Sequence, residues 1–188
     1  IGEVTTRAQF DAAQIARDVY KEIGYDDELD IMVKIAKQSP DIAQGVDTGG
    51  AGDQGIMVGF ATSDTDELMP LEHVLAAKLV RKLEQVRQDK DSDLGKLFGP
   101  DGKAQVTLDK NGVDSVVLST QHSDQVDFEE FKQKIIDEII KPIIPEFNNV
   151  YVNPAGPWHI GGFTADAGLT GRKITADNYG PQIPVGGG

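Results

Sequence analysis

Cysteine is absent from the 188 residues, which removes disulfides and thiolate metal sites and allows a cytoplasmic address. Histidine is scarce: His73, His122 and His159 are the only three, they lack metal-ligand spacing, and ordinary structural roles are expected for them. Aromatic residues are few, and Trp158 is the single tryptophan. No apolar run approaches the roughly 18 residues a membrane span needs, and no signal-peptide pattern opens the sequence. Cations are outnumbered, 18 Lys and Arg against 31 Asp and Glu, for a net charge of -13. That balance argues against nucleic acid or an anionic membrane as a general partner. An anionic small molecule stays compatible, because exposed charges are screened beyond about 8 Å at physiological salt. Any phosphate site must then be a local cluster of cations.

What is present suffices for one or two domains with a sizeable core. Residues 1–6 are β-branched and read as a strand. Asp11 is a good N-cap for a helix with Ile15, Val19 and Ile23 at four-residue intervals, which Gly24 is placed to end. Ile31, Val33 and Ile35 alternate as in a strand that stops before Ser39 and Pro40. Residues 37–55 form a long polar loop whose length points to function or mobility. Residues 56–62 read as a buried strand. After Pro70, the residues Leu71, Val74, Leu75, Leu79, Leu83 and Val86 draw one helical stripe, and 89–96 is a charged loop. Strands at 105–109 and 113–120 meet through Lys110, Asn111 and Gly112, where Asn-Gly signals a hairpin. Asp127 caps a helix with Phe128, Phe131, Ile135 and Ile139 on one side, ended by Pro142 and Pro145. A last strand covers 150–152. The expected fold class is α/β (α+β), with the order from residue 56 onward β-α-β-β-α-β, the split βαβ arrangement. Residues 153–188, rich in Gly and Pro, must lie against another surface because they cannot close a core of their own.

Several residues could carry chemistry, each with a plainer alternative. Four of the seven residues from Gly49 to Gly55 are glycine, with Asp53 and Gln54 among them. This is either a ligand loop or a simple Gly-rich turn, and it fits neither the dinucleotide fingerprint nor the P-loop. Lys103 follows Gly99, Pro100, Asp101 and Gly102, so a turn would hold its ammonium at the mouth of the sheet, unless the turn is all there is. Arg172 and Lys173 adjoin in a Gly-rich loop, six residues after Asp166, as a phosphate site or as solvated charges. Asp53, Asp101 and Asp166 each sit in a glycine-containing loop. There a carboxylate either stabilises the turn or binds an ammonium, a ribose hydroxyl or a divalent cation. Trp158, in a Pro- and Gly-containing stretch, packs in a core or stacks on a base. Ser119 and Ser123 flank His122 without a nucleophile elbow, which argues against hydrolase chemistry.

Residues 37–60, 99–107, 117–123 and 168–174 together, in order and spacing, resemble S-adenosylmethionine synthetase, also called methionine adenosyltransferase. The resemblance implies an enzyme in which the sulfur of methionine attacks the ribose C5′ of ATP and expels triphosphate, which is hydrolysed to pyrophosphate and phosphate. Mg²⁺ and K⁺ are implied as cofactors. So are a movable lid over residues 37–55, domains that each repeat the split βαβ plan, and a place in one-carbon metabolism in the cytoplasm. A homodimer or dimer of dimers is implied too, facing through flat sheets and sharing active sites. By position, Gln38 looks like the methionine contact at the start of the lid and Asp53 like the acid of the Gly-rich loop. Asp101, Gly102 and Lys103 resemble the ATP-contacting turn. Asp166 matches an acid touching ATP and methionine, Arg172 and Lys173 the phosphate pair, and Trp158 an aromatic that stacks on adenine. Pro157 stands where the family usually has Arg, and His159 and Phe163 are also unusual there. The family's His-Pro-Asp-Lys motif, its K⁺-binding acids and its later lysines have no counterpart, so the metal ligands are expected outside this chain. The expected boundaries are 1–48 for the end of the N-terminal domain with the lid, 49–158 for the central domain and 159–188 for the start of the C-terminal domain. Such a chain is expected to be inactive alone. The alternative is a non-catalytic truncated subunit that pairs with a full-length synthetase.

Overall fold

The computed structural model describes residues 2, 4, 6–89 and 91–187. They divide into two compact units, one spanning Ala61–Gly180 and one formed by 2–60 with 181–187.

In the second of these, helix α1 (Ala12–Ile23) forms as expected: the Asp11 carboxylate accepts the Gln14 N–H at 3.0 Å, and Gly24 closes the last turn. Its buried residue is Tyr20, which stacks on Tyr25 and donates its hydroxyl to Asp27 at 3.0 Å. The apolar stripe lies elsewhere, with Ile15, Val19 and Ile23 each about half exposed. The long polar loop contains helix α2 (Pro40–Val46), with Ser39 accepting the Asp41 N–H and Pro40 in the first turn. Ser39 and Pro40 thus start a helix as well as stop an extended segment. Two expected strands are absent. Among the described residues, 31–35 have no ladder partner, and 56–62 are reduced to a single bridge between Ile56 and Gly187. A strand needs a neighbour for its backbone groups, which local alternation cannot supply. Ile56 and Met57, expected to be buried, are 72% and 87% exposed. Residues 2, 4 and 6 are not in a strand, while Ile1, Glu3 and Thr5 of that expected strand lie outside the described residues.

The larger unit holds the core. Helix α3 (Leu71–Gln88) buries Val74, Leu79 and Leu83. Strand β1 (Phe98–Asp109) turns into β2 (Gly112–His122) through Lys110 and Asn111, and Gly112 has φ +126°, a backbone that favours glycine. Helix α4 (Phe128–Ile135) starts at Asp127, which accepts the Glu130 N–H at 2.9 Å. It continues as a π-helical turn, Ile136–Ile140, that puts both Ile139 and Ile140 into the core. Strand β3 (Asn149–Val152) follows. The sheet order is β1-β2-β3, with β2 antiparallel to β1 and parallel to β3, so α4 is the crossover between parallel neighbours. One face packs Val106, Val116, Leu118 and Val152 against Leu79, Phe131, Ile135 and Ile139. The order is therefore α-β-β-α-β; among the described residues the first strand of the split βαβ plan is missing. Two one-turn helices, α5 (Gly162–Ala165) and α6 (Ile174–Asp177), punctuate the Gly-rich segment.

Residues 99–102 are not a plain turn, because β1 already begins at Phe98. Phe98 pairs with His122 and Gly102 with Thr120, so Gly99, Pro100 and Asp101 bulge opposite Gln121.

Candidate functional site

The parallel pair β2 and β3 ends on one side of the sheet, where open α/β sheets bind their ligands. Here three successive residues of β2 hold the chain that follows β3. Thr120 is bound through both backbone groups by Asn153, whose Oδ1 accepts its N–H at 2.8 Å and whose Nδ2 donates to its carbonyl at 3.0 Å. The Asn153 side chain thereby extends the ladder beyond Val152. Gln121 donates Nε2–H to the His159 carbonyl at 3.1 Å. His122 donates its backbone N–H to the Trp158 carbonyl at 2.8 Å, and its Nε2 lies 3.2 Å from the Trp158 N–H. The ring's Nδ1 is 2.8 Å from the Ser123 carbonyl, which assigns the proton to Nδ1 and leaves Nε2 to accept. Buried against Phe128, Phe131 and His159, this imidazole is a fixture of the fold, in line with the structural role expected of it.

These bonds fix the segment carrying Trp158. The indole N–H donates to the Ile160 carbonyl at 2.7 Å, and the Lys103 ammonium stands 5.6 Å from the ring centroid. That is within cation-π range. Asp101 Oδ2 accepts the Gly162 N–H at 3.0 Å, so the β1 bulge and the 158–162 segment are tied directly as well. Asp101, Gly102, Lys103 and Trp158 thus meet at one end of the sheet.

Arg172, Lys173 and Asp166 lie further along the Gly-rich segment, each exposed. Among the described residues none of the three makes an ion pair. Asp166 is the residue after α5 and Lys173 the residue before α6. Gln38 and Asp53 belong to the other unit, where both are exposed and the Asp53 carboxylate accepts the Gln54 N–H at 2.7 Å, the turn-stabilising role. A recess of about 130 Å³ lined by Leu83, Arg87, Phe98 and Gly102 lies beside the bulge. It is smaller than the roughly 300–1,000 Å³ of small-molecule pockets, so it does not hold a nucleotide by itself. Among the described residues no group of three or more His, Asp or Glu is placed to hold a metal ion. Among the described residues no helix is long and apolar enough to cross a membrane.

Residues 48–158, more than half of the chain, match the family described as S-adenosylmethionine synthetase, central domain. The chain belongs to the S-adenosylmethionine synthetase family. The synthetase match takes in Asp53, Asp101, Gly102, Lys103 and Trp158, with Gln38 before it and Asp166, Arg172 and Lys173 after it. Sequence reasoning missed Gln121 and Asn153 at the synthetase sheet end. Asn153 had a signal, an Asn before Pro directly after a strand; Gln121 had none, since its importance comes from a bulge on the opposite strand.

Proposed function

We propose that the chain is part of a methionine adenosyltransferase, which makes S-adenosylmethionine from ATP and methionine. The observation that carries this is the Lys103 ammonium beside the Trp158 ring at the end of the sheet, inside the family match. A cation for phosphate next to an aromatic face for a base is the pair that an adenine nucleotide requires. A thioether sulfur is already nucleophilic, so no general base is needed. Catalysis comes from aligning sulfur with C5′ and from stabilising a highly charged triphosphate leaving group.

In this reading Trp158 stacks on adenine while Lys103, Arg172 and Lys173 neutralise triphosphate. Asp101, Gly102 and Asp166 also contact ATP, Gln38 and Asp166 contact methionine, and Asp53 approaches the substrates. Mg²⁺ and K⁺ belong to the proposed reaction and are held with the help of residues other than those described. The protein is cytoplasmic and works as a homodimer or dimer of dimers with shared sites, built from repeated split βαβ domains bounded near residues 48 and 158. Alone, these 188 residues bind ATP weakly and form no product. A second reading, a truncated subunit paired with a full-length synthetase, is favoured by the half-exposed stripe Ile15, Val19 and Ile23.

The test is a titration of Trp158 fluorescence with ATP, beside an assay for S-adenosylmethionine with ATP, methionine, Mg²⁺ and K⁺. Saturable quenching by ATP that Lys103→Met abolishes supports the site. An emission indifferent to millimolar ATP refutes it, and ready product formation by the isolated chain refutes its being a part. Co-purification with an intact synthetase, without added activity, would select the second reading.

A further inference from the structure

Opposite Gln121, β1 carries three residues, Gly99, Pro100 and Asp101, where an unbroken ladder would have one. A bulge of that size takes the Asp101 N–H out of the ladder. The Gln121 side chain fills the gap: Oε1 accepts the Asp101 N–H at 3.4 Å, while Nε2 donates to the His159 carbonyl at 3.1 Å. The side chain lies flat on Gly99, where an added Cβ would stand 2.3 Å from Cδ and 2.4 Å from Oε1. Glycine at 99 is therefore what lets this amide cross the bulge. Accepting at one end and donating at the other is a property of the amide; Glu lacks the donor and Met lacks both.

We propose that Gln121 is a positioning residue of the nucleotide site, coupling the bulge that carries Asp101 to the segment that carries Trp158. It touches no substrate. Its amide fixes where the aromatic face stands relative to Lys103, and hence whether a base and its phosphates are met together. The inference rests on the reading of this sheet end as an ATP site. The bulge and the segment carrying Trp158 are joined directly by Gln121 and by the Asp101 carboxylate on Gly162, while His122 holds the Trp158 backbone and the His159 ring. Losing Gln121 therefore loosens the stretch from His159 to Gly162 against the bulge and leaves Trp158 anchored on the His122 side alone. Gln121 is only half-buried, and its replacement leaves the core intact.

Because Trp158 is the only tryptophan, its emission reports this segment alone. Acrylamide quenching of the 188-residue chain is compared for wild type, Gln121→Met and Gly99→Ala, the last keeping Gln121 but displacing it. The quenching constant is expected to rise in both variants while the melting temperature holds. ATP affinity is expected to fall about fivefold, the worth of one ordinary hydrogen bond, with a clearly smaller loss for tripolyphosphate, which has no base. Unchanged quenching in both variants overturns the coupling. Equal losses for ATP and tripolyphosphate, or quenching that rises only with a fall in melting temperature, reduce Gln121 to a structural residue and overturn it too. Failure of the wild-type chain to respond to ATP overturns the nucleotide reading, and the quenching comparison then decides the coupling alone.

Discussion

Asn153 sits at φ +44° with 3% of its surface exposed, and its amide satisfies two backbone groups of Thr120. Asn tolerates the left-handed region better than most residues and has both a donor and an acceptor. Asn153→Ala strands two buried backbone groups, and a loss of about 2–4 kcal/mol is expected in urea unfolding. Asn153→Asp should be at least as damaging, since the carboxylate cannot donate to the Thr120 carbonyl. At Lys103 the expected loss is of function: Lys103→Met in the assembled enzyme should lower kcat about a hundredfold, the scale for one group that stabilises developing charge. An unchanged kcat would remove Lys103 from the triphosphate. Legibility at this scale follows distance along the chain. The caps Asp11 and Asp127 each bond three residues on and were readable, whereas the partner of Asn153 is 33 residues away.

Helices were legible as elements because their caps and stripes are local, and strands were legible where a tight turn supplied the partner, as for β1 and β2, or a helix crossed back to one, as for β3. The Asn111-Gly112 hairpin fixed β1 and β2, while the alternation at 31–35 has no paired neighbour among the described residues. The π-helical turn was invisible, since Ile135, Ile136, Ile139 and Ile140 also fit one side of an ordinary helix. Ile139 is fully buried beside Ile135 and Ile140, so Ile139→Ala is expected to cost about 2–5 kcal/mol. Groups on the helix surfaces contribute to the pH response. Hydrogen bonding to Arg87, chiefly, holds Glu84 below the usual carboxylate range, and a hydrogen bond from Gln133 does the same for Asp137. Glu130 raises Lys134 above the usual lysine value. Lowered acids stabilise the fold above their unfolded pKa and lose this as pH falls through the folded one. The raised lysine stabilises below its unfolded value and loses this as pH climbs through the folded one. Melting temperature should therefore decline on both flanks, modestly because the pairs are exposed. Glu84→Gln should flatten the acid flank alone.

Across the whole molecule, burial is uneven. Of the described residues before Ala61, Tyr20 is the only buried apolar one, and the core belongs to Ala61–Gly180. Limited proteolysis should cut within residues 26–38 or 47–60 and leave a resistant piece close to 61–180, and amide exchange should be fastest in the first 60 residues. Equal protection along the chain would contradict that division. The family was legible at this scale from motifs scattered along the chain. The end of β2 has one more consequence, for how such a chain can change length over generations. Side chains alternate across a strand, so one residue inserted just before Thr120 would turn the amide of Gln121 towards Phe131 and the imidazole of His122 towards the bulge. An insertion at Asp91, which is exposed, disturbs nothing comparable. Indels in viable descendants should collect there and be missing from the last turn of the pleat in β2.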